Sequence, residues 1–141
     1  MGRVKLEMPS VYPFSTELTV RITDINYGGH LGNSSVLGLM HEARVLFLKA
    51  FGFSEMDVSG FGTIMLDSVV IYKAQAFAGD MLLIEVAAGD FSRLGCDIFY
   101  RMTRKETGEE VVLAKTGIAV FDYTGQKRVS PPSAFVKKLG G

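Results

Sequence analysis

Between Ser34 and Phe51 the chain has no glycine after Gly38 and no proline. Val36, Leu37, Leu39, Met40, Ala43, Val45, Leu46, Phe47, Leu48, Ala50 and Phe51 cover most of a helical circumference. Good helix formers without a breaker predict one long helix, and an apolar surface nearly all round predicts that it is buried. A glycine at position 52 stands where a helix C-cap is expected. The rest of the chain therefore has to wrap this helix.

The wrapping material reads as strands. Ser15–Thr23 alternates Leu18, Val20 and Ile22 against Thr19, Arg21 and Thr23, the period of a half-buried strand. After the helix, Ser54–Asp57 reads as one short helical turn. Four strand-like runs then follow over 63–75, 80–88, 92–104 and 110–122, separated by turn residues such as Gly79-Asp80 and Gly108. Short connections make neighbouring runs of such a meander antiparallel. Pro131-Pro132 introduces a short last helix over 134–139. The expected class is α+β: a five-stranded antiparallel sheet around one long central helix, in a single domain spanning 1–141. An apolar content of 48% against 21% charged residues supplies the core this requires.

Charge and cysteine usage exclude several functions. Lysine plus arginine and aspartate plus glutamate number 15 each, so there is no basic footprint for nucleic acid. Cys96 is the only cysteine, which rules out an internal disulfide and a cysteine-rich zinc site. Within an apolar alternation it reads as a buried, inert thiol. The two histidines, His30 and His41, lack a matching acidic cluster, so no metal and no cofactor is expected. The first residues lack the apolar core of a signal peptide, and no apolar run is long enough to span a bilayer. A cytoplasmic protein without membrane contact is the expectation.

The segment before the helix is polar and glycine-containing: Asp24-Ile25-Asn26-Tyr27-Gly28-Gly29-His30-Leu31-Gly32-Asn33. With the strand ahead of it and the helix and four strands behind, this loop resembles that of the hotdog fold. The resemblance covers nearly the whole chain. Within that fold it is similar to acyl-CoA thioesterases of the 4-hydroxybenzoyl-CoA thioesterase type, many of which read approximately Asp-x-Asp-x-x-Gly-His-x-x-Asn here. Asp24, Asn26, Gly29, His30 and Asn33 fill those positions. Gly79-Asp80, Ser92 and Phe121-Asp122 are softer later matches. The resemblance implies hydrolysis of an acyl-CoA or acyl-carrier thioester, and a homodimer with a continuous sheet, paired into a homotetramer, with the site between subunits. The family's usual catalytic aspartate falls at Asn26, which can orient a water or a thioester oxygen but cannot act as a base. Two other readings follow: an acyl-thioester-binding protein without turnover, and a hydroxyacyl-thioester dehydratase.

Thioester hydrolysis needs an oxyanion stabiliser and a means of delivering water. The start of a helix supplies unpaired N–H groups and partial positive charge. Gly32, Asn33 and Ser34 lie there, with Gly29 in the preceding loop, and these glycines let a ligand approach the backbone closely. Asn33 or Ser34 is also the expected N-cap. His30 is the candidate acid/base or water-positioning group, or else fixes the loop by hydrogen bonds. Asn26 is a candidate water or substrate contact. Asp24 either braces the loop through Arg21 or Arg44 or serves as a base. Glu42 is the alternative carboxylate. It stands about 12 Å along the helix from Ser34, so it serves a site only through a second subunit, or it pairs with His41, Arg44 or Lys49 in a partly buried position. Asp67 interrupts an apolar strand and is expected to face solvent or a dimer cleft.

Overall fold

The long helix forms over Asn33–Ala50 (α1) in the computed structural model, which describes residues 1–140. It ends as the glycine after it predicts. Gly52 takes φ +86°, its N–H donates to the Lys49 carbonyl, and the Phe53 N–H donates to the Leu48 carbonyl. This paired closure satisfies carbonyls that the helix end would otherwise orphan.

Six strands form one antiparallel sheet: β1 (Phe14–Thr19), β2 (Gly62–Tyr72), β3 (Met81–Ser92), β4 (Gly95–Arg104), β5 (Glu110–Asp122) and β6 (Lys127–Val129). A short helix α2 covers Ser133–Leu139. The order across the sheet is β1-β3-β4-β5-β2, with β6 on β5.

Four features depart from the sequence expectation. The sheet has a sixth strand, because the turn after Asp122 returns the chain onto β5, where Val129 pairs with Val120. The four long strands do not form a simple meander: β2 pairs with β5, and β1 takes the place beside β3. The 73–80 connection is long enough to cross the end of the sheet, and it is pinned there by the Leu31 N–H on the Ala76 carbonyl (2.8 Å). The first strand stops at Thr19, since Ile22–Asp24 forms a 3-10 turn closed on the Asp24 carboxylate. Finally, 54–61 holds two tight turns, with Ser54 bridging Asp57 and Val58 bridging Phe61, rather than a helical turn.

The helix is not wrapped all round. Its buried stripe is Val36, Leu39, Met40, Ala43, Arg44, Phe47 and Leu48. That stripe packs with strand residues such as Leu82, Ile84, Ile98, Tyr100 and Met102 into a single core. One sheet offers one concave face, so the far side stays open: Leu37 is 48% exposed and Val45 39%.

The core contains one polar network. The Arg44 guanidinium donates to Glu55 Oε1 (3.0 Å) and to the Tyr100 hydroxyl (3.0 Å), which in turn lies 2.7 Å from Thr116 Oγ1. His41 Nε2 approaches the same Glu55 oxygen at 3.2 Å. Burial works against the Arg44 charge, but Tyr100 and Glu55 outweigh it and hold its pKa above the ordinary value. Burial pushes the Tyr100 phenol up. Glu55 thus takes the partner that the sequence offered to Glu42.

Candidate active site

The loop between β1 and α1 is built by backbone bonds. The Asn26 N–H donates to the His30 carbonyl (3.0 Å) and the Gly29 N–H to the Asn26 carbonyl (3.0 Å). Ile25 bridges Leu31. Gly29 sits at φ +86°, where a side chain would strain the turn. The Gly32 N–H donates to the Asp24 carbonyl (3.0 Å), and the Leu31 N–H ties the loop to Ala76. Asp24 is buried, and its carboxylate accepts from the Arg21 backbone N–H (2.9 Å) and from the Arg21 side chain (3.4 Å). It engages Arg21 rather than Arg44.

The helix start differs in detail from the expectation. Gly32, not Asn33 or Ser34, is the N-cap, and no side chain caps the helix. Asn33 is already the first helical residue, and its Oδ1 accepts the Ser34 N–H at 2.9 Å. The reason is the tie from Gly32 to Asp24, which fixes where the chain turns into the helix. The Ser35 and Val36 N–H groups donate to the Gly32 carbonyl (3.1 and 3.2 Å) and the Ser34 N–H to Asn33 Oδ1, so among the described residues the Asn33 N–H is the first-turn donor left for an incoming acceptor.

Asn26, His30 and Asn33 come together in one cleft of about 320 Å³. Leu31, Val36, Ala76, Val111 and Val112 give it apolar walls, and Tyr72 at the end of β2 and Gln75 in the 73–80 connection also line it. Among the described residues its lining contains no carboxylate. Asn26 Oδ1 accepts the Gly28 N–H (3.0 Å), which orients the amide and leaves its NH₂ as a donor. Among the described residues the His30 imidazole forms no side-chain hydrogen bond; the loop holds its shape through the His30 carbonyl instead.

Glu42 and Asp24 lie elsewhere. They line a second cleft, of about 460 Å³, with Leu18, Thr19, Arg21, Ser35, Gly38 and Leu39. This cleft is on the β1 side of α1, whereas the first opens toward β2 and β5. Glu42 is exposed rather than buried, and among the described residues it forms no ion pair. Gly29, Gly32 and Ser34 stand in the wall of neither cleft. They act through the loop turn, the cap and the Ser34 N–H bond.

Tyr72 and Gln75 carry no motif and were not singled out by the sequence. Only the crossing of 73–80 brings them to the loop. Arg104 fixes that crossing, donating from Nη2 to the Gln75 carbonyl at 2.6 Å and pairing with Asp80 at 3.3 Å. Cys96 is buried, and burial, with the neighbouring Asp97 charge, pushes its thiol up to about 12, so it holds no thiolate at neutral pH. Asp67 faces outward at a bulge in β2, with Lys115 Nζ 2.8 Å from its Oδ1. Among the described residues no group of three histidines, cysteines or carboxylates is placed to hold a metal ion. No helix is long and apolar enough to cross a membrane among them.

Comparison with known proteins places this geometry. The model of the thioesterase-like superfamily matches residues 20–139. No curated protein matches the sequence. Solved structures match over most of their length. A 1,4-dihydroxy-2-naphthoyl-CoA thioesterase from Synechocystis superposes with TM-score 0.80 at 20% identity, covering 89% of this chain and 93% of that one. A thioesterase-superfamily protein from Jannaschia gives 0.81 at 19% identity, covering 94% and 86%. A Staphylococcus aureus protein solved in complex with CoA gives 0.80 at 14% identity, covering 94% and 85%. At these identities the likeness shows the fold, an antiparallel hotdog sheet against one long helix.

Proposed function

For a chain that belongs to the thioesterase-like superfamily, we propose hydrolysis of an acyl-CoA thioester of small or medium acyl length, in the cleft of Asn26, His30 and Asn33. The observation that carries this reading is that one apolar-walled cleft gathers an imidazole, a donor amide and Asn33, the first residue of an 18-residue helix. The acyl chain occupies the apolar wall and the thioester carbonyl points at the first turn of α1. His30 takes a proton from water, the water oxygen bonds to the carbonyl carbon, and the electron pair moves onto the carbonyl oxygen. The Asn33 N–H and the helix dipole stabilise that oxyanion. Collapse restores the carbonyl and breaks the C–S bond, and the proton on His30 passes to the departing thiolate. Asn26 donates its amide N–H to the water or to the thioester oxygen. Glu42 and Asp24 keep their reserve role as base only through a second subunit, because in one chain they line the other cleft.

A homodimer fits the same reading. β2 is an edge strand of 11 residues, and Met65 and Leu66 on it are 45% and 42% exposed. An apolar edge of that length invites a partner strand. Antiparallel pairing of two β2 strands would bring the start of one beside Tyr72 at the end of the other, where the cleft opens, and would complete the site between subunits. Pairing of two such dimers gives the homotetramer.

The carboxylate-free wall and Asn26 favour a second reading, an acyl-thioester-binding protein without turnover. Thiol release from a panel of acyl-CoAs and acyl-carrier proteins separates the two. Wild type is expected to release thiol, Asn26→Ala and His30→Ala to lose it, and Glu42→Gln to retain it. Binding without release on any substrate would establish the non-catalytic reading. Loss in Glu42→Gln would return the base to the helix.

A further inference from the structure

The candidate cleft has a charged neighbour. The N-terminal segment Gly2–Leu6 lies beside the end of β2 and forms with it a groove of about 620 Å³. Among the described residues its lining holds three cations, Arg3, Lys5 and Lys73, and no carboxylate. In a chain whose positive and negative side chains balance at 15 each, such a one-sign groove is a local concentration of charge. All three side chains are exposed, and among the described residues none of them forms an ion pair, whereas Lys105, Lys115, Arg101 and Arg104 are each matched to a carboxylate. Tyr72 lines both this groove and the candidate cleft. Lys73 follows it directly, held by its backbone N–H on the Val111 carbonyl (2.8 Å). Tyr72 thus stands between the groove and the cleft, at the end of β2.

We infer that Arg3, Lys5 and Lys73 bind the phosphates of a coenzyme A thioester, whose pantetheine arm passes Tyr72 into the cleft of Asn26, His30 and Asn33. This rests on the thioester reading above and sharpens it, since it selects coenzyme A, with its diphosphate and 3′-phosphate, over a thiol carrier lacking a nucleotide. Ammonium and guanidinium groups suit phosphate oxygens as charge-assisted donors. The remaining wall, Val70, Ile71 and Leu113 with the Tyr72 ring, is apolar and accepts the face of a base.

Calorimetric titration of the full chain with coenzyme A, dephospho-coenzyme A and pantetheine tests this. The wild type is expected to bind coenzyme A roughly tenfold or more tighter than pantetheine, with dephospho-coenzyme A between them and the preference shrinking as salt is raised. In the Arg3→Ala/Lys5→Ala/Lys73→Ala variant the ratio of the two affinities should fall to about one, and Lys73→Arg should restore part of it. The arm residues are exposed, and circular dichroism and melting temperature check that the variant is folded. A preference for coenzyme A that is the same in the variant and the wild type would overturn the inference, as would no preference in the wild type. So would loss of acyl-carrier protein binding alongside unchanged coenzyme A binding. The hydrolytic reading fails by a different sign, namely no thiol release by wild type that still binds coenzyme A through these residues.

Discussion

Two polar regions, one on α1 and one in the loop that leads into it, are finished in opposite ways. On the sheet-facing side, Arg44 is surrounded: Glu55 and Tyr100 both accept from it, and Tyr100 reaches on to Thr116. At the front edge, Asn26 and His30 are held in place through their own backbones, and each keeps side-chain hydrogen-bonding capacity unspent. A buried polar group has to be paired because an unpaired one costs free energy, so the first pattern is what stability demands. A partly exposed group that is held in place but left with spare donors and acceptors is what a reacting ligand needs. The contrast separates a structural cluster from a candidate chemical one without appeal to the residue types, which are polar in both.

The largest effect should come from breaking the paired side. Arg44→Met takes the guanidinium from Glu55 and the Tyr100 hydroxyl, which keep only His41 and Thr116, and is expected to cost about 2–3 kcal/mol of unfolding free energy, read by urea denaturation. Turnover per folded molecule should stay within a few-fold of wild type. A cost below about 1 kcal/mol would show that the network is dispensable, and the comparison would lose its structural half.

The unspent side should behave in reverse. His30→Ala is expected to lower kcat by roughly 100-fold or more, the scale of a lost general base. The melting temperature should move little, because the bonds that shape the loop run through the His30 carbonyl. A fall in stability comparable to that of Arg44→Met would mean that His30 is part of the scaffold. Gly29→Ala tests the scaffold itself. Its φ of +86° is strained for a residue with a Cβ, yet nothing lies within 4 Å of where that Cβ would be. The cost is therefore conformational only, about 1 kcal/mol, with KM and kcat both disturbed through the position of Asn26.

How far the sequence reached follows the same division. The helix, its glycine closure and the loop were legible because they depend on residues close in sequence: Gly52 two positions after Ala50, Gly29 and His30 a few positions after Asn26. The bounds of β5 were read without error, since its alternation and flanking turns are local too. What was not legible is what distant segments decide. The place of β2 beside β5, and so the arrival of Tyr72 and Gln75 at the loop, depends on a crossing fixed by Arg104 and Leu31. The identity of the N-cap depends on a bond from Gly32 back to Asp24, which removed Asn33 and Ser34 from that role. Glu42 was expected to be partly buried because its neighbours are apolar, but it projects from the side of α1 that the single sheet does not cover. The Arg44 partners, Glu55 and Tyr100, come from a turn and a strand that no helical spacing connects to it.

The smallest effect belongs to a polar group that is neither buried nor unspent. Asp67 stands at the β2 bulge, where Lys115 Nζ and the Gly117 N–H both reach its Oδ1, at 2.8 and 3.0 Å. The hydrogen bond from Lys115 is the chief reason its carboxyl titrates below the ordinary value, with the Gly117 N–H and the Lys115 charge acting the same way. The folded state thus binds fewer protons than the unfolded state as pH falls through the ordinary aspartate range. The stabilisation is fully present above that range and disappears as the pH drops through the lowered folded value. Because its side chain is 57% exposed, solvent screens the pair, and Asp67→Asn should cost only about 0.5 kcal/mol near neutral pH. The difference in melting temperature between wild type and Asp67→Asn should vanish in acid, below the folded titration, and shrink in high salt. A difference that persists unchanged into acid would show that the bulge is held by packing rather than by charge, and would move Asp67 from the screened surface class toward the paired interior that Arg44 represents.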